Sequence, residues 1–399
     1  MKSRYKFNRM EFSGSLGDLG TLLPITMGII MICGLSPLGI FFTIGLFYIL
    51  TGFYYGITVP IQPMKVIGAY AIATGIEATQ ISASALLIGV FLLIIGGTGA
   101  IRFIGKYIPR AVVRGVQLST GIMLMIGAIK FIIGDSKYQA FQRLAEPYLS
   151  IQSLGPIPIG IFLGITGSIL TLALLGNRKF PAGLTIIISG LIIGLLLGTH
   201  EGFGKLRPGF YFPKLLPYGL PSGIDFSAAI LLLVLPQIPM TVGNAVIAYS
   251  DLSKDYFEGK SKKVTYISVC ISMALANLFS FLFGGIPLCH GAGGLAAHYR
   301  FGARTAGSNI IIGGIFIILA IFFGDKILSI LYLLPMSVLG VLLLFAGSQL
   351  ALTLIDVKKH NDLFVILVML TLTLTLNLGV GFLVGISVSY FLKLYKISL

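Results

Sequence analysis

The chain reads as a succession of apolar stretches, each close to the length of a membrane crossing, divided by short polar or glycine-rich breaks. A helix needs roughly 20 mainly apolar residues to cross a bilayer. Stretches of that kind run near 16–33, 37–56, 60–75, 78–98, 109–133, 157–176 and 181–199. After a polar loop they resume near 225–250, 264–283, 288–302, 305–323, 327–347, 362–377 and 379–396. The pattern predicts an all-α membrane protein with 14 transmembrane segments and no soluble domain, the third and tenth segments being short and interrupted.

Composition agrees with this reading. The 399 residues are 56% hydrophobic and 10% charged, where a soluble domain carries roughly 25% charged residues. The opening "MKSRYKFNR" leads into a polar, glycine-rich segment, so no cleavable signal is expected. Cys33, Cys270 and Cys289 lie in apolar surroundings and form no CxxC pair, which supports neither a disulfide framework nor a zinc site. No metal or other cofactor is expected.

A net charge of +15 would suit nucleic acid, but the positions of the charges favour membrane topology. With the N-terminus inside, 20 of the 28 Lys and Arg fall in inner segments. They are Lys2, Arg4, Lys6 and Arg9; Arg102, Lys106, Arg110 and Arg114; Arg178 and Lys179; Lys254, Lys260, Lys262 and Lys263; Arg300 and Arg304; Lys358 and Lys359; Lys393 and Lys396. Seven lie outside or near it, and Lys65 falls inside a span. This is the positive-inside bias of a multi-pass protein. It predicts a cell inner (plasma) membrane protein with both termini cytoplasmic, whose partner is the lipid bilayer and not nucleic acid.

Two motifs recur. "LLPITMG" (22–28) and "QIPMTVG" (237–243) both read x-x-Pro-x-Thr-x-Gly, and "VPIQPMK" (59–65) aligns with "IPLCHGA" (286–292). The pairs keep their order, which predicts homologous halves at 11–200 and 222–399. Each half holds an odd number of spans, so the second must be inverted relative to the first. Inverted repeats with interrupted spans mark secondary transporters. Irregular backbone at membrane depth is tolerated only where protein or a wet cavity satisfies it.

The interruptions suggest what is carried. Two half-helices that start near the midplane aim free N–H groups at one point, and such ends attract anions. Gln62, Pro63, Met64 and Lys65 would start one, and Cys289, His290, Gly291, Ala292, Gly293 and Gly294 the other. A lysine at mid-bilayer costs roughly 2.5–3.5 kcal/mol, which a bound anion or Asp18 would offset. Structural alternatives exist for each residue. Lys65 can snorkel or serve as a structural counter-ion, His290 can be a core histidine bonded to a carbonyl, and Gln62 and Gln237 can cap broken helices. Asp18 can be an N-cap or a proton-coupling group. His298, Arg300 and Arg304 are expected to face the cytoplasm, and His200 and His360 sit in loops.

"GDLGTLLP" (17–24), "PIQPMK" (60–65) and "GGIPLCHGAGGLAAHYRFGARTAG" (284–307) resemble the signature segments of the molybdate transporter family, which is related to the sulfate permeases. The resemblance covers nearly the whole chain. It implies transport of molybdate or a related tetrahedral oxyanion, tungstate and sulfate included, at a site that draws on "PIQPMK" and "PLCHGAGG" with Thr21 and Gln237 of spans 1 and 8 alongside. It also implies the seven-plus-seven inverted-repeat fold of sulfate permease and uracil permease, with a core domain from spans 1–4 and 8–11 and a gate domain from spans 5–7 and 12–14. No sulfate-permease-type soluble domain is expected after span 14. Protons as coupling partner and a homodimer stay open at this stage.

Other functions fare less well. Sulfate or another inorganic anion fits the same chemistry. A proton-coupled nucleobase or organic-acid carrier would be expected to place carboxylates on the broken spans, and 59–75 and 284–302 contain none. An enzyme is not expected, since "GAIRFIGK" (99–106) misses the Walker spacing and no nucleophile–base set stands out.

Overall fold

A computed structural model describes residues 4–175, 177, 180–200 and 203–397. Lys2, Arg178 and Lys179, assigned above to inner segments, lie outside the described residues. The apolar stretches are helical. In the first half they form α1 (Leu19–Cys33), α2 (Pro37–Tyr55), α3 (Lys65–Thr74), α4 (Ala78–Gly97), α5 (Arg110–Ile133), α6 (Ile159–Leu174) and α7 (Ala182–Leu197). In the second they form α8 (Gly223–Tyr256), α9 (Tyr266–Phe283), α10 (Ala292–Arg300), α11 (Gly307–Phe323), α12 (Met336–Ala351), α13 (His360–Thr375) and α14 (Leu378–Leu394). Eight of the described helical stretches are long and apolar enough to cross a membrane: those containing α1, α2, α4, α5, α8, α9, α11 and α12.

Local chemistry sets the ends. Ser36 caps α2 through Gly39 N–H, with Pro37 at its first position. Left-handed glycines close α2 and α9 at Gly56 and Gly284. The twelfth segment starts later than the apolar pattern suggests. Leu328–Leu331 makes one separate turn, and α12 begins only at Met336 behind Pro335, because proline has no N–H and disfavours helix in the residue before it. Within α8, wide i→i+5 turns at Ala229–Val234 and Thr241–Ala248 flank Pro236 and Pro239.

The third and tenth segments are each an extended strand followed by a short helix. β1 (Gln62–Pro63) pairs antiparallel with β2 (Leu288–Cys289), Gln62 opposite Cys289 and Pro63 opposite Leu288. The ten residues of α3 and the nine of α10 follow from this crossover.

Around it, α2 packs on α11 and α4 on α9. Likewise α5 packs on α12, α5 on α13, α6 on α12, α1 on α12, and α8 on α5. Small residues permit the close approaches. A methyl added to Gly45 would stand 2.8 Å from Gly313 O, and one added to Gly313 2.8 Å from Gly45 O. Gly121 and Gly347 face each other in the same way across α5 and α12, at 2.6 and 2.7 Å.

Candidate functional site

Two asparagines hold the extended backbone at the crossover, one from α11 and one from α9. Asn309 of α11 accepts from Val59 N–H at 2.9 Å and donates to Val59 O at 2.9 Å. Asn277 of α9 accepts from Leu288 N–H at 3.1 Å and donates to Leu288 O at 2.8 Å. A two-residue ladder leaves most backbone groups unpaired, and buried backbone must find partners. The side-chain amides supply them. Met64 N–H adds a bond to Pro287 O at 2.8 Å.

The two short helices begin side by side but differ at their first turns. At α3, Gln237 from α8 accepts from Val66 N–H at 3.1 Å and Ile67 N–H at 3.3 Å. It caps that end, one of the alternatives its residue type allowed. At α10 the N-cap residue is Gly291, and among the described residues no side chain accepts from the first N–H groups of the helix. Gln62 crosses from β1 to lie against it: its Nε2 donates to Asp18 Oδ2 at 2.6 Å. The buried Gln62 Oε1 has no hydrogen-bond partner.

The glycines of α10 divide into two kinds. A methyl on Gly291 would stand 2.1 Å from Gln62 Oε1, and one on Gly294 would meet the Gln62 amide at 2.8 Å and Asp18 Oδ2 at 2.9 Å. These two make room for the Gln62–Asp18 pair, not for a ligand as the sequence suggested. Gly291 has an ordinary φ of −73°, so its backbone angles do not demand glycine. Gly293 is exposed, and the nearest atom to its absent methyl is Lys65 Nζ at 3.7 Å.

Beside Gly293 lies a cavity of about 340 Å³ lined by Asp18, Thr21, Lys65, Gly293, Arg300 and Gln349 among others. A second, of about 200 Å³, shares Thr21, Lys65, Gly293 and Gln349 and adds Gln117, Asn244 and Thr353. Asp18 is the one carboxylate in either wall. It occupies the N-cap position of α1 but makes no cap bond there, reaching to Gln62 instead. Lys65 and His298 are its charged or chargeable neighbours. Its position close to the start of α10 sets a negative group against the positive helix end.

Of the residues singled out from sequence, Thr21, Lys65, Gly293 and Asp18 meet at the cavity. Gln62, Pro63, Met64, Cys289, Gly291, Ala292, Gly294 and Gln237 build the crossover or its caps and do not line it. His290 is not placed as an anion donor. Its ring is buried at 1% exposure, with Nδ1 3.0 Å from Pro60 O and Nε2 2.7 Å from Ser272 Oγ. Both nitrogens are thus engaged within the protein. His298 does not face the cytoplasm either. It is buried, with Nδ1 2.7 Å from Gly14 O and Nε2 3.2 Å from Tyr48 OH. Arg300 and Arg304 are exposed, and Arg300 lines the larger cavity.

Sequence reading missed Asn277, Asn309, Gln117, Asn244 and Gln349. The available signal was an amide on an otherwise apolar helix, where a polar side chain needs a partner. Among the described residues no group of His, Cys, Asp and Glu is arranged to hold a metal ion.

The family model described as "Molybdate transporter of MFS superfamily" matches residues 10–124 and 229–350, which include both crossover strands and every cavity residue named except Thr353. Molybdate transporter 2 of Arabidopsis thaliana is 34% identical over 90% of this chain and 81% of its own length. Molybdate transporter 1 of the same plant is 30% identical over 94% of this chain and 86% of its own. Among solved structures, SLC26A9 superposes with a TM-score of 0.68 at 15% identity, covering 97% of this chain, which spans 65% of the SLC26A9 chain. The transmembrane domain of the cyanobacterial bicarbonate transporter BicA gives 0.64 at 14% identity, covering 96% of this chain and 98% of that one. The fold is that of these two chains, a mostly helical integral membrane protein. With its model matched over more than half the residues, and two relatives at 30% identity or above along nine-tenths of the sequence, the chain belongs to the molybdate transporter family.

Proposed function

We propose that this protein is a secondary active transporter of molybdate. The oxyanion would bind in the cavity where the α10 N-terminus and Lys65 meet. The observation that carries the reading is that juxtaposition: an uncapped helix start, opened by Gly293, with an ammonium from the other half beside it. A doubly charged tetrahedral oxyanion gains from both, through charge-assisted bonds to main-chain N–H and to Lys65. Thr21 adds a hydroxyl and Gln349 an amide. The family and its molybdate-named relatives supply the choice of anion, since sulfate has the same charge and shape.

The finer architecture follows the same reading: 14 crossings in two inverted sevens, residues 11–200 and 222–399. Helix pairing supports it. Exchange of each helix with its counterpart seven along turns α2–α11 into α9–α4, α5–α13 into α12–α6, and α1–α12 into α8–α5, and all of these contacts occur. Contacts also group the predicted inner segments. Lys6 N–H donates to Thr305 Oγ1 at 3.2 Å, Asp356 pairs with Arg110 and Arg114, and Lys263 lies over Tyr54. The larger cavity is walled by helix ends on that side, including Arg300, Leu175 and Pro181, which fits an inward-open form with both termini cytoplasmic.

Core helices α1–α4 and α8–α11 would move against gate helices α5–α7 and α12–α14. Asp18 would couple the movement to protons, because an ionised carboxylate in the wall opposes a dianion and a neutral one does not.

Competition uptake in proteoliposomes tests the function. Molybdate should be taken up and displaced by tungstate, with sulfate weaker; no molybdate uptake in a folded preparation would end the reading. The coupling role predicts that Asp18→Asn keeps binding and loses the dependence of uptake on an inward proton gradient. Unchanged gradient dependence would remove Asp18 from it.

A further inference from the structure

The transport reading makes no use of a groove of about 530 Å³ between α2 and α9, on the outside of the helix packing. Its walls include Phe47, Tyr54 and Tyr55 from α2 and Ile271, Ser272 and Leu275 from α9. Leu50, Tyr54 and Leu275, which also line it, are between 45% and 51% exposed. From Thr265 to Leu275 the groove follows α9 for about 15 Å at the helical rise. That is half of a hydrocarbon core about 30 Å thick, the depth of one leaflet.

The two ends of the groove differ. At one end stands Lys263, exposed, with its Nζ 5.0 Å from the Tyr54 ring centroid, and the exposed Lys262 precedes it in the chain. Asp251, which reaches Tyr266 next to Thr265 of the groove, is engaged by Lys254 Nζ at 3.1 Å and Tyr266 OH at 3.2 Å. The other end, at Phe47 and Leu275, is apolar. A single-leaflet channel with cations at one end and hydrocarbon along the rest complements a phospholipid with an anionic headgroup. The floor is polar and leads inward. Tyr55 OH lies 3.0 Å from Ser272 Oγ, which lies 2.7 Å from His290 Nε2, and His290 Nδ1 is 3.0 Å from Pro60 O.

We infer that this groove is a binding site for an anionic phospholipid from the leaflet on the Lys263 side. The phosphate lies against Lys262 and Lys263, and one acyl chain runs along Tyr54, Phe47 and Leu275. The bound lipid presses on Tyr55 and Ser272, and so steadies His290 and the loop that carries β2. The inference rests on the fold and not on which anion is transported.

The test uses the purified full-length protein with no oxyanion present. Dioleoylphosphatidylglycerol and dioleoylphosphatidylcholine are added in parallel, and the unfolding midpoint and the lipid retained in native mass spectrometry are read. The anionic lipid should raise the midpoint by several degrees more than the zwitterionic one and stay bound as a discrete adduct. Lys262→Gln with Lys263→Gln should cut its retention about tenfold and leave the midpoint in phosphatidylcholine unchanged. Ile271→Trp, which fills the groove with both lysines intact, should abolish the effect; if that variant does not fold, Leu275→Trp at the exposed rim serves. Lys358→Gln with Lys359→Gln, remote from the groove, should behave as wild type. Equal midpoints in the two lipids, or an anionic-lipid effect that survives either the lysine variant or the tryptophan variant, overturns the site.

Discussion

The starts of α3 and α10 lie side by side behind the paired strands, yet they are finished in opposite ways. Gln237 closes the first by taking Val66 and Ile67 N–H, while the second has no side-chain cap and opens through Gly293 beside Lys65. The repeated motifs locate the origin of the difference. Gln237 aligns with Leu22, and Lys65 aligns with Ala292. The first half therefore supplies the cation and lacks the cap, and the second supplies the cap and lacks the cation. Two short helices that start side by side make two candidate anion ends, and these two side-chain differences are what would leave one of them for a ligand.

The contrast can be broken most severely at Gly293. Gly293→Val keeps ordinary backbone angles but fills the space next to Lys65, so oxyanion binding measured by calorimetry should vanish while the unfolding midpoint stays near wild type. Retained binding would move the ligand away from the α10 end. Next in size is Lys65→Met, which keeps length and removes charge. Affinity should fall at least about tenfold, the equivalent of 1.4 kcal/mol, and an unchanged value in a folded variant would make Lys65 a structural cation.

Gln237→Leu copies the first half's residue into the second. It leaves two buried N–H groups without an acceptor, at about 1–3 kcal/mol for such a group, so the midpoint should drop by several degrees with a smaller effect on affinity. A drop in affinity alone would mean that Gln237 touches the ligand. The smallest effect is expected from the reciprocal change. Leu22→Gln carries an amide to the position equivalent to Gln237 and should compete for α10 N–H groups, weakening binding a few-fold. Tighter binding would show that the amide joins the ligand's donors.

Much of the fold was legible because lipid imposes a strong pattern on helices. The apolar stretches gave the elements, and Pro60, Pro287 and the glycines at 291–294 gave the two interruptions. Among the residues that line the cavity, Lys65 and Gly293 were legible, since a lysine inside a span and a glycine at a helix start each carry a physical question with few answers. From sequence, His290 stays open between an anion donor and a core histidine bonded to a carbonyl, and His298 is expected to face the cytoplasm, for a shared reason. The partners that occupy their rings, Ser272 with Pro60 and Tyr48 with Gly14, come from elements whose approach only the folded packing defines. Asn277 and Asn309 escaped notice in the same way. Their importance lies in the strand backbone they hold, and Asn309 lies 250 positions from its partner.

The pairing of β1 with β2 has a consequence for biogenesis. Gln62 must wait for Cys289, and Val59 must wait for Asn309, so the crossover cannot close while the ribosome is still making the first half. The α2–α11 and α4–α9 contacts wait in the same way. During that interval the strand that carries Gln62 has none of its second-half partners. Closure of the crossover is therefore a late step, one that follows synthesis of the segment from Leu288 to Asn309.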